Sequence, residues 1–365
     1  MMQRWGTTTA FIFVLLVIFS ACEPSSADEA AEEAEEETYT LTYHSSYPPS
    51  EYEWEPKYQA QERFMELVEE RTDGRVTFDV YYSDQLFGQD ESADALARGT
   101  IDIQNTSPSY WVERIPEGAI ASLPYWNMGE EHTRHLLRET EVGALYEEAL
   151  EDYGVKPLTF WSSSTTGYMS TSPIAEVEDM EGMVMNIVSN LTIDFNQSMG
   201  SGVASLPAAE QYEGLLRGTI DAMQFPYYTL DTYNFVEVVD YLSVPTLNPA
   251  LGMVAISEST WEELPEDIQA IMQETALEME KDAMEGSQRY TREIFDLAEE
   301  EGTEFVPMSE EEFDELEQIS QEKIWRNFAS MNERTEEMVE TLLVENEKWI
   351  EENPEADNYM DQYLD

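Results

Sequence analysis

Cysteine is almost absent. Cys22 is the one thiol in 365 residues, so the chain can build neither an internal disulfide nor a cysteine-ligated metal site. Basic residues are scarce as well: 18 Lys and Arg, five of them Lys, stand against 78 Asp and Glu, for a formal net charge of −60. Without a basic footprint, nucleic acid is excluded as a partner. Three histidines are present. His132 and His135 stand at i, i+3 in an acidic run, a spacing that either seats a metal beside a carboxylate or, more plainly, lies on a solvated helical face. Missing too are a Gly-rich phosphate loop, a G-x-S-x-G elbow and an H-E-x-x-H pair. Chance pairs of carboxylates are unavoidable at this composition, and none has the loop spacing of a calcium site. No catalytic residues, metal ligands or cofactor motif are therefore assigned. The acidity is spread over helical segments, which reads as adaptation to a salty medium where screening relieves self-repulsion.

An apolar run over residues 10–19 follows Arg4, and the small residues Ser20 and Ala21 precede Cys22. Residues 1–21 are expected to be a secretory signal peptide, too short for a membrane-spanning helix. Phe19-Ser20-Ala21-Cys22 resembles a bacterial lipoprotein box, which implies acylation of Cys22 as a lipid anchor; the alternative is a lone thiol beside an ordinary cleavage site. Residues 22–37, with the acidic stretch DEAAEEAEEE, then form a solvated tether. The expected location is the periplasm, at a membrane surface. Asn190-Leu191-Thr192 matches a glycosylation sequon and is discounted in that setting.

A short motif is used twice. Residues 96–102 read LARGTID and residues 215–221 read LLRGTID. Each copy predicts a helix that stops at a glycine, Gly99 or Gly218, in the left-handed conformation where a Cβ is penalised. Each then opens an apolar strand and a loop: Ser107-Pro108-Ser109-Tyr110 after the first, Phe225-Pro226-Tyr227-Tyr228 after the second. Ligands of open α/β sheets bind beyond the carboxyl ends of the strands, so the two loops are expected to face each other across a cleft. A chance match of seven residues is the other reading. Alternation predicts strands over 38–46, 75–82, 101–104, 156–161, 183–188, 204–206, 220–225, 251–256 and 304–306. Helical periodicity covers 56–71, 89–98, 130–153, 192–199, 208–217, 260–300 and 310–351, and 162–166 reads as a polar loop. Strands alternating with helices indicate a mostly parallel sheet covered by helices.

Several stretches in this order resemble the substrate-binding proteins of tripartite ATP-independent periplasmic (TRAP) transporters, the C4-dicarboxylate-binding family. They are Glu70-Arg71-Thr72-Asp73-Gly74-Arg75-Val76, Asp84-Gln85-Leu86 with Gly88, both copies of the motif, Leu123-Pro124-Tyr125, Pro173-Ile174 with Asp179-Met180-Glu181-Gly182, and Glu263-Leu264-Pro265-Glu266-Asp267-Ile268-Gln269. The resemblance covers most of residues 40–350. It implies an α/β, two-domain periplasmic binding protein (class II-like), each domain a mixed, mostly parallel sheet flanked by helices, with long C-terminal helices. Domain I is expected over 38–162 and 251–290, domain II over 163–250 and 291–365. It also implies closure on a small solute and delivery to the two integral permease subunits, with no ATPase and no enzymatic step. An extracytoplasmic hydrolase and a ligand-free structural or adaptor lipoprotein are the alternatives.

Members of that family hold a substrate carboxylate with an arginine, whose planar fork donates two charge-assisted hydrogen bonds. The corresponding position here is Asn186, a second arginine position falls on or near Thr166, and the polar position after the second motif falls on Phe225. The carboxylate clamp is thus missing from its usual place. Ser46, Ser107, Thr166 and Asn186 offer neutral hydrogen bonds, and Tyr110, Phe225 and Tyr228 offer flat apolar faces. Gln89, opening the helix before the first motif, completes this ligand set with His44, which ends the first strand and is either a ligand contact or a buried structural residue. The inventory suits a neutral, zwitterionic or partly apolar solute better than a small dianion, and an aromatic cage for a quaternary ammonium is one form of it. Arg98 and Arg217 end helices, where capping carbonyls and pairing with carboxylates compete with a clamp role.

Overall fold

The computed structural model describes residues 37–354, apart from 51, 54, 188, 189, 207 and 245; the expected signal peptide, Cys22 and nearly all of the tether lie outside the described residues. Among the described residues ten strands are formed: β1 (Tyr39–Ser45), β2 (Val76–Tyr81), β3 (Ile103–Thr106), β4 (Val155–Ser170), β5 (Val184–Asn186), β6 (Gly202–Ala204), β7 (Ala222–Pro226), β8 (Tyr241–Val244), β9 (Asn248–Ser257) and β10 (Glu304–Pro307). Their order is β2-β1-β3-β9-β4-β7-β5-β6, with β8 joining β4 to β10. Pairing is parallel within each half: β1 with β2 and β3, β5 with β6 and β7. It is antiparallel where β9 and β4 cross between the halves. This is the mixed sheet flanked by helices that the resemblance implies.

The two motif copies adopt the same local structure. The helices Gln89–Ala97 and Ala208–Leu216 end at Gly99 (φ 63°) and Gly218 (φ 67°). In the first, Gly99 N–H donates to Leu96 C=O and Thr100 N–H to Ala95 C=O; in the second, Gly218 N–H donates to Leu215 C=O and Thr219 N–H to Gly214 C=O. Both are the paired 5→2 and 6→1 bonds that close a helix through a left-handed residue. The Asp of each copy then ties down the neighbouring parallel strand. Asp102 Oδ2 accepts from Thr42 N–H at 2.7 Å and Asp221 Oδ2 from Val184 N–H at 2.9 Å. The repeat is structural down to its last residue, and the loops that follow it start from equivalent sheet positions.

Three element boundaries differ from the sequence reading. The helix expected over 130–153 is interrupted at Thr140, whose side chain accepts from Val142 N–H and starts a second helix, Glu141–Asp152. The helix expected over 310–351 is likewise divided, into Glu310–Ser320 with its continuation to Ala329 and Glu333–Glu352, the latter capped by Asn332. The polar loop expected over 162–166 is instead the middle of β4, 16 residues long. Two of its hydroxyls are satisfied locally: Ser162 Oγ donates to Ser164 C=O and Ser164 Oγ to Thr165 C=O, both at 3.1 Å. The register against β9 slips between Ser162 and Thr165, a bulge that turns these side chains. Strand β8 has no counterpart in the sequence reading; it is four residues long and gains its partners only from β4 and β10.

Since β4 pairs with β9 along its first part and with β7 along its last, hydrogen bonding runs continuously through both halves. The helix Glu266–Glu301, 36 residues long, spans them as well. Its Ile268, Met272, Ala276, Met279 and Ala283 pack with Leu41, Tyr43, Phe64 and Trp161. Further along, Tyr290, Ile294, Phe295 and Ala298 pack with Met169, Met223, Tyr227 and Leu242. The three-to-four spacing of these side chains is the apolar stripe of a helix used on two successive cores. Among the described residues no helix is long and apolar enough to cross a membrane.

Candidate functional site

Beyond the carboxyl ends of β3 and β7 lies a cavity of about 510 Å³, in the size range of small-molecule sites. Ser107, Ser109 and Tyr110 reach it from the loop after the first motif; Gln224, Phe225, Pro226 and Tyr228 reach it from the end of β7 and the loop after the second. Strand β4 contributes Ser163, in its bulge, and Thr166 just after it. Five of the sequence-assigned residues, Ser107, Tyr110, Thr166, Phe225 and Tyr228, therefore share one cavity wall.

The other four are not wall residues. Asn186 is 1 % exposed at the end of β5, and its Oδ1 accepts from Leu206 N–H at 2.6 Å. That bond turns the amide toward the Leu206 backbone, and Nδ2 is buried without a partner. His44 is fully buried, with Nδ1 2.7 Å from Gln104 Oε1 and Nε2 accepting from Leu86 N–H. Ser46 donates to Thr106 Oγ1 at 3.2 Å. Gln89 opens its helix, but the wall residue there is the next one, Asp90. Arg98 stands at a helix end, and Arg217 pairs with Glu213 at 2.7 Å. His132 is buried and stacks on Trp349, ring centroids 4.6 Å apart, while its Nδ1 accepts from Met128 N–H; among the described residues no group of three His, Cys, Asp or Glu could hold a metal.

Two wall residues escaped the sequence reading and matter most. Trp161 spends its indole N–H on Asn105 Oδ1 at 3.0 Å, so it offers the cavity a ring rather than a donor. The ring is held edge-on to Tyr47, another wall residue, with centroids 5.2 Å apart. Gly252 leaves the space it fills: a Cβ there would lie 2.3 Å from the indole. The signal was a lone Trp directly before the hydroxyl run of β4, which aromatics in a core mimic. Arg114 is the cation of the wall, at 3.5 Å from Asp94 and 3.3 Å from Glu113. It lies four residues past Tyr110, in a segment without helical or strand periodicity. Burial raises the hydroxyls of Tyr47, Tyr110 and Tyr228 above the usual phenol range, so all three present neutral O–H groups. The arrangement can enclose a compact solute with aromatic faces and neutral hydrogen bonds; no nucleophile–base pair is formed among the described wall residues.

Comparisons with known proteins agree with this geometry. Residues 50–331 match the bacterial extracellular solute-binding protein family 7, DctP. A solute-binding protein of Roseobacter denitrificans is 27% identical over 223 residues, covering 60% of this chain and 67% of that protein. Among solved structures, a TRAP periplasmic solute-binding protein from Desulfovibrio salexigens with bound orotic acid superposes with a TM-score of 0.75 at 21% identity, covering 85% of this chain and 99% of that one. One from Chromohalobacter salexigens with bound D-glucuronate gives 0.74 at 21% identity, covering 84% and 99%. The fold is thus that of known TRAP periplasmic solute-binding proteins, and the chain belongs to the DctP family of TRAP-transporter solute-binding proteins.

Proposed function

We propose that the protein captures one small organic solute in the cavity walled by Ser107, Tyr110, Thr166, Phe225 and Tyr228, and delivers it unchanged to the two integral subunits of a TRAP permease. The observation that carries this reading is that both loops following the repeated motif line the same space. Contacts from both halves favour whichever arrangement brings the walls together, so ligand shifts the population toward a closed form that the permease distinguishes from the open one. We take the halves to be residues 38–162 with 251–290 and 163–250 with 291–365. The orotic acid and D-glucuronate bound by the structural relatives support a ring-sized solute here. Asn186, on this reading, acts through the Leu206 segment it holds. Cleavage before Cys22 and acylation of that thiol tether the protein to the membrane through residues 22–37.

The test is a melting-temperature screen at high salt over organic acids, compatible solutes and amino-acid derivatives, followed by calorimetry on the hits. Stoichiometric 1:1 binding with the compound recovered intact is expected. Turnover of the bound compound, or no shift with any solute, overturns the proposal. Mass spectrometry of the membrane-extracted protein checks the anchor: a diacylglyceryl mass on Cys22 supports it, and an unmodified thiol removes it.

A further inference from the structure

We propose that the cavity selects solutes that carry a positive charge on an apolar body, and that the Asp84 carboxylate is the group that reads the charge. This deepens the solute-binding reading and rests on it. Asp84 lies in the stretch Asp84-Gln85-Leu86, directly after β2.

Four observations converge on it. First, Asp84 Oδ1 is buried and has no hydrogen-bond partner, a costly arrangement for a carboxylate in an unbound site. Second, the backbone holds it there under strain. Ser83 and Asp84 both adopt left-handed conformations, φ 53° and 56°, pinned by Ser83 N–H to Tyr47 C=O at 3.1 Å and Asp84 N–H to Ser45 C=O at 3.2 Å. Consecutive non-glycine residues in that region are rare and concentrate where a side chain is aimed at a task. Third, Asp84 stands outside the wall itself but close to it: after burial, its carboxylate helps raise the hydroxyls of Tyr47 and Tyr110, two wall residues. The Ser46 hydroxyl and the His44 ring only partly offset the burial that pushes Asp84 above the usual carboxylate range.

Fourth, the rest of the wall disfavours an anion. Arg114 already pairs with Asp94 and Glu113, and Asp90 adds another carboxylate. The anchoring position of the family holds the neutral Asn186. What remains is aromatic: Tyr47, Tyr110, Trp161, Phe225 and Tyr228, three from one half and two from the other. Aromatic faces attract a cation through the ring quadrupole, most strongly when it is desolvated. A charged group seated among them, with Asp84 behind, would give the unpartnered oxygen its counter-ion.

The experiment is calorimetry on the full mature chain, freed of co-purified solute by unfolding and refolding, with three probes in one salt buffer. They are choline, its uncharged carbon isostere 3,3-dimethylbutan-1-ol, and D-glucuronate. Choline is expected to bind, the isostere at least about tenfold more weakly, and glucuronate not at all. Asp84→Asn is expected to weaken choline about tenfold or more while raising the melting temperature of the unliganded protein, because it removes a desolvated charge; a merely structural Asp84 would lower it. Tyr110→Ala, at a position 47 % exposed and so without a role in the core, should also weaken choline. Arg114→Gln should tighten it severalfold, whereas an anion clamp would lose its ligand. Equal affinity for choline and the isostere, tighter binding of glucuronate than of choline, or an unchanged affinity in Asp84→Asn overturns the inference and leaves solute binding standing. Failure of every solute in the wider screen overturns both.

Discussion

Gly252 and Trp161 show how one missing side chain shapes the cavity. A methyl at position 252 would sit 2.3 Å from the indole, so Gly252→Ala must push Trp161 off its bond to Asn105. We expect a loss of about 1–3 kcal/mol in stability from overpacking, with a shift in tryptophan emission; unchanged emission and stability would mean the ring is not held as described. A second residue-scale prediction concerns His132, whose ring is pushed down to about 3 from 6.5, by burial first and by His135 second. The unfolded chain takes up this proton before the native one does, so the contribution is complete above pH 6.5 and is lost as pH falls toward about 3. It amounts to roughly 5 kcal/mol at most. In His132→Gln the stability difference between pH 7 and pH 4, read by denaturant unfolding, should shrink relative to the parent; an identical difference refutes the assignment. Neither residue announced itself in the sequence, since a glycine and a histidine acquire these roles only from what packs on them.

At the scale of elements, a buried ion pair joins the long helix Glu266–Glu301 to the helix Glu130–Glu139, and the same carboxylate ties both to strand β4. Glu280, 2 % exposed at its side chain, accepts from Arg138 Nη2 at 2.6 Å and from Phe160 N–H at 2.8 Å. Arg138 also lies over the Phe160 ring, 4.7 Å from its centroid. Removing one partner leaves a buried charge without its mate, so Glu280→Ala should cost about 3–5 kcal/mol in chemical denaturation. A loss under about 1 kcal/mol would show the pair to be solvated. The element boundaries that misled the reading share a cause. The run Ser162–Thr166 carries loop-forming residues, yet β9 on one side and β7 on the other supply ladder partners. Thr140 interrupts a helical periodicity that is otherwise unbroken, because Gly143 lets the backbone approach Leu137, where a Cβ would lie 2.1 Å from the carbonyl oxygen.

For the whole molecule, the mutual repulsion behind a net charge of −60 is the interaction that salt reaches most directly. Screening by added ions shortens the range of that repulsion from about 10 Å at 0.1 M to about 3 Å at 1 M. The melting temperature is therefore expected to rise by several degrees between 0.1 and 2 M NaCl; a flat or falling curve would refute adaptation to salt. The sequence by itself determined the repeat, its two helix stops at Gly99 and Gly218, most of the strands and helices, and five of the nine assigned residues that line the cavity. All of these depend on local conformational preference or on spacing along the chain. Only the tertiary structure decided that Asn186 turns its amide to Leu206, that His44 and Ser46 face inward to other polar groups, and that Trp161 and Arg114 line the cavity. Such placements are set by which strand lies beside which and by what fills the space between them. No single segment carries that information, because each side chain's partner lies tens or hundreds of residues away.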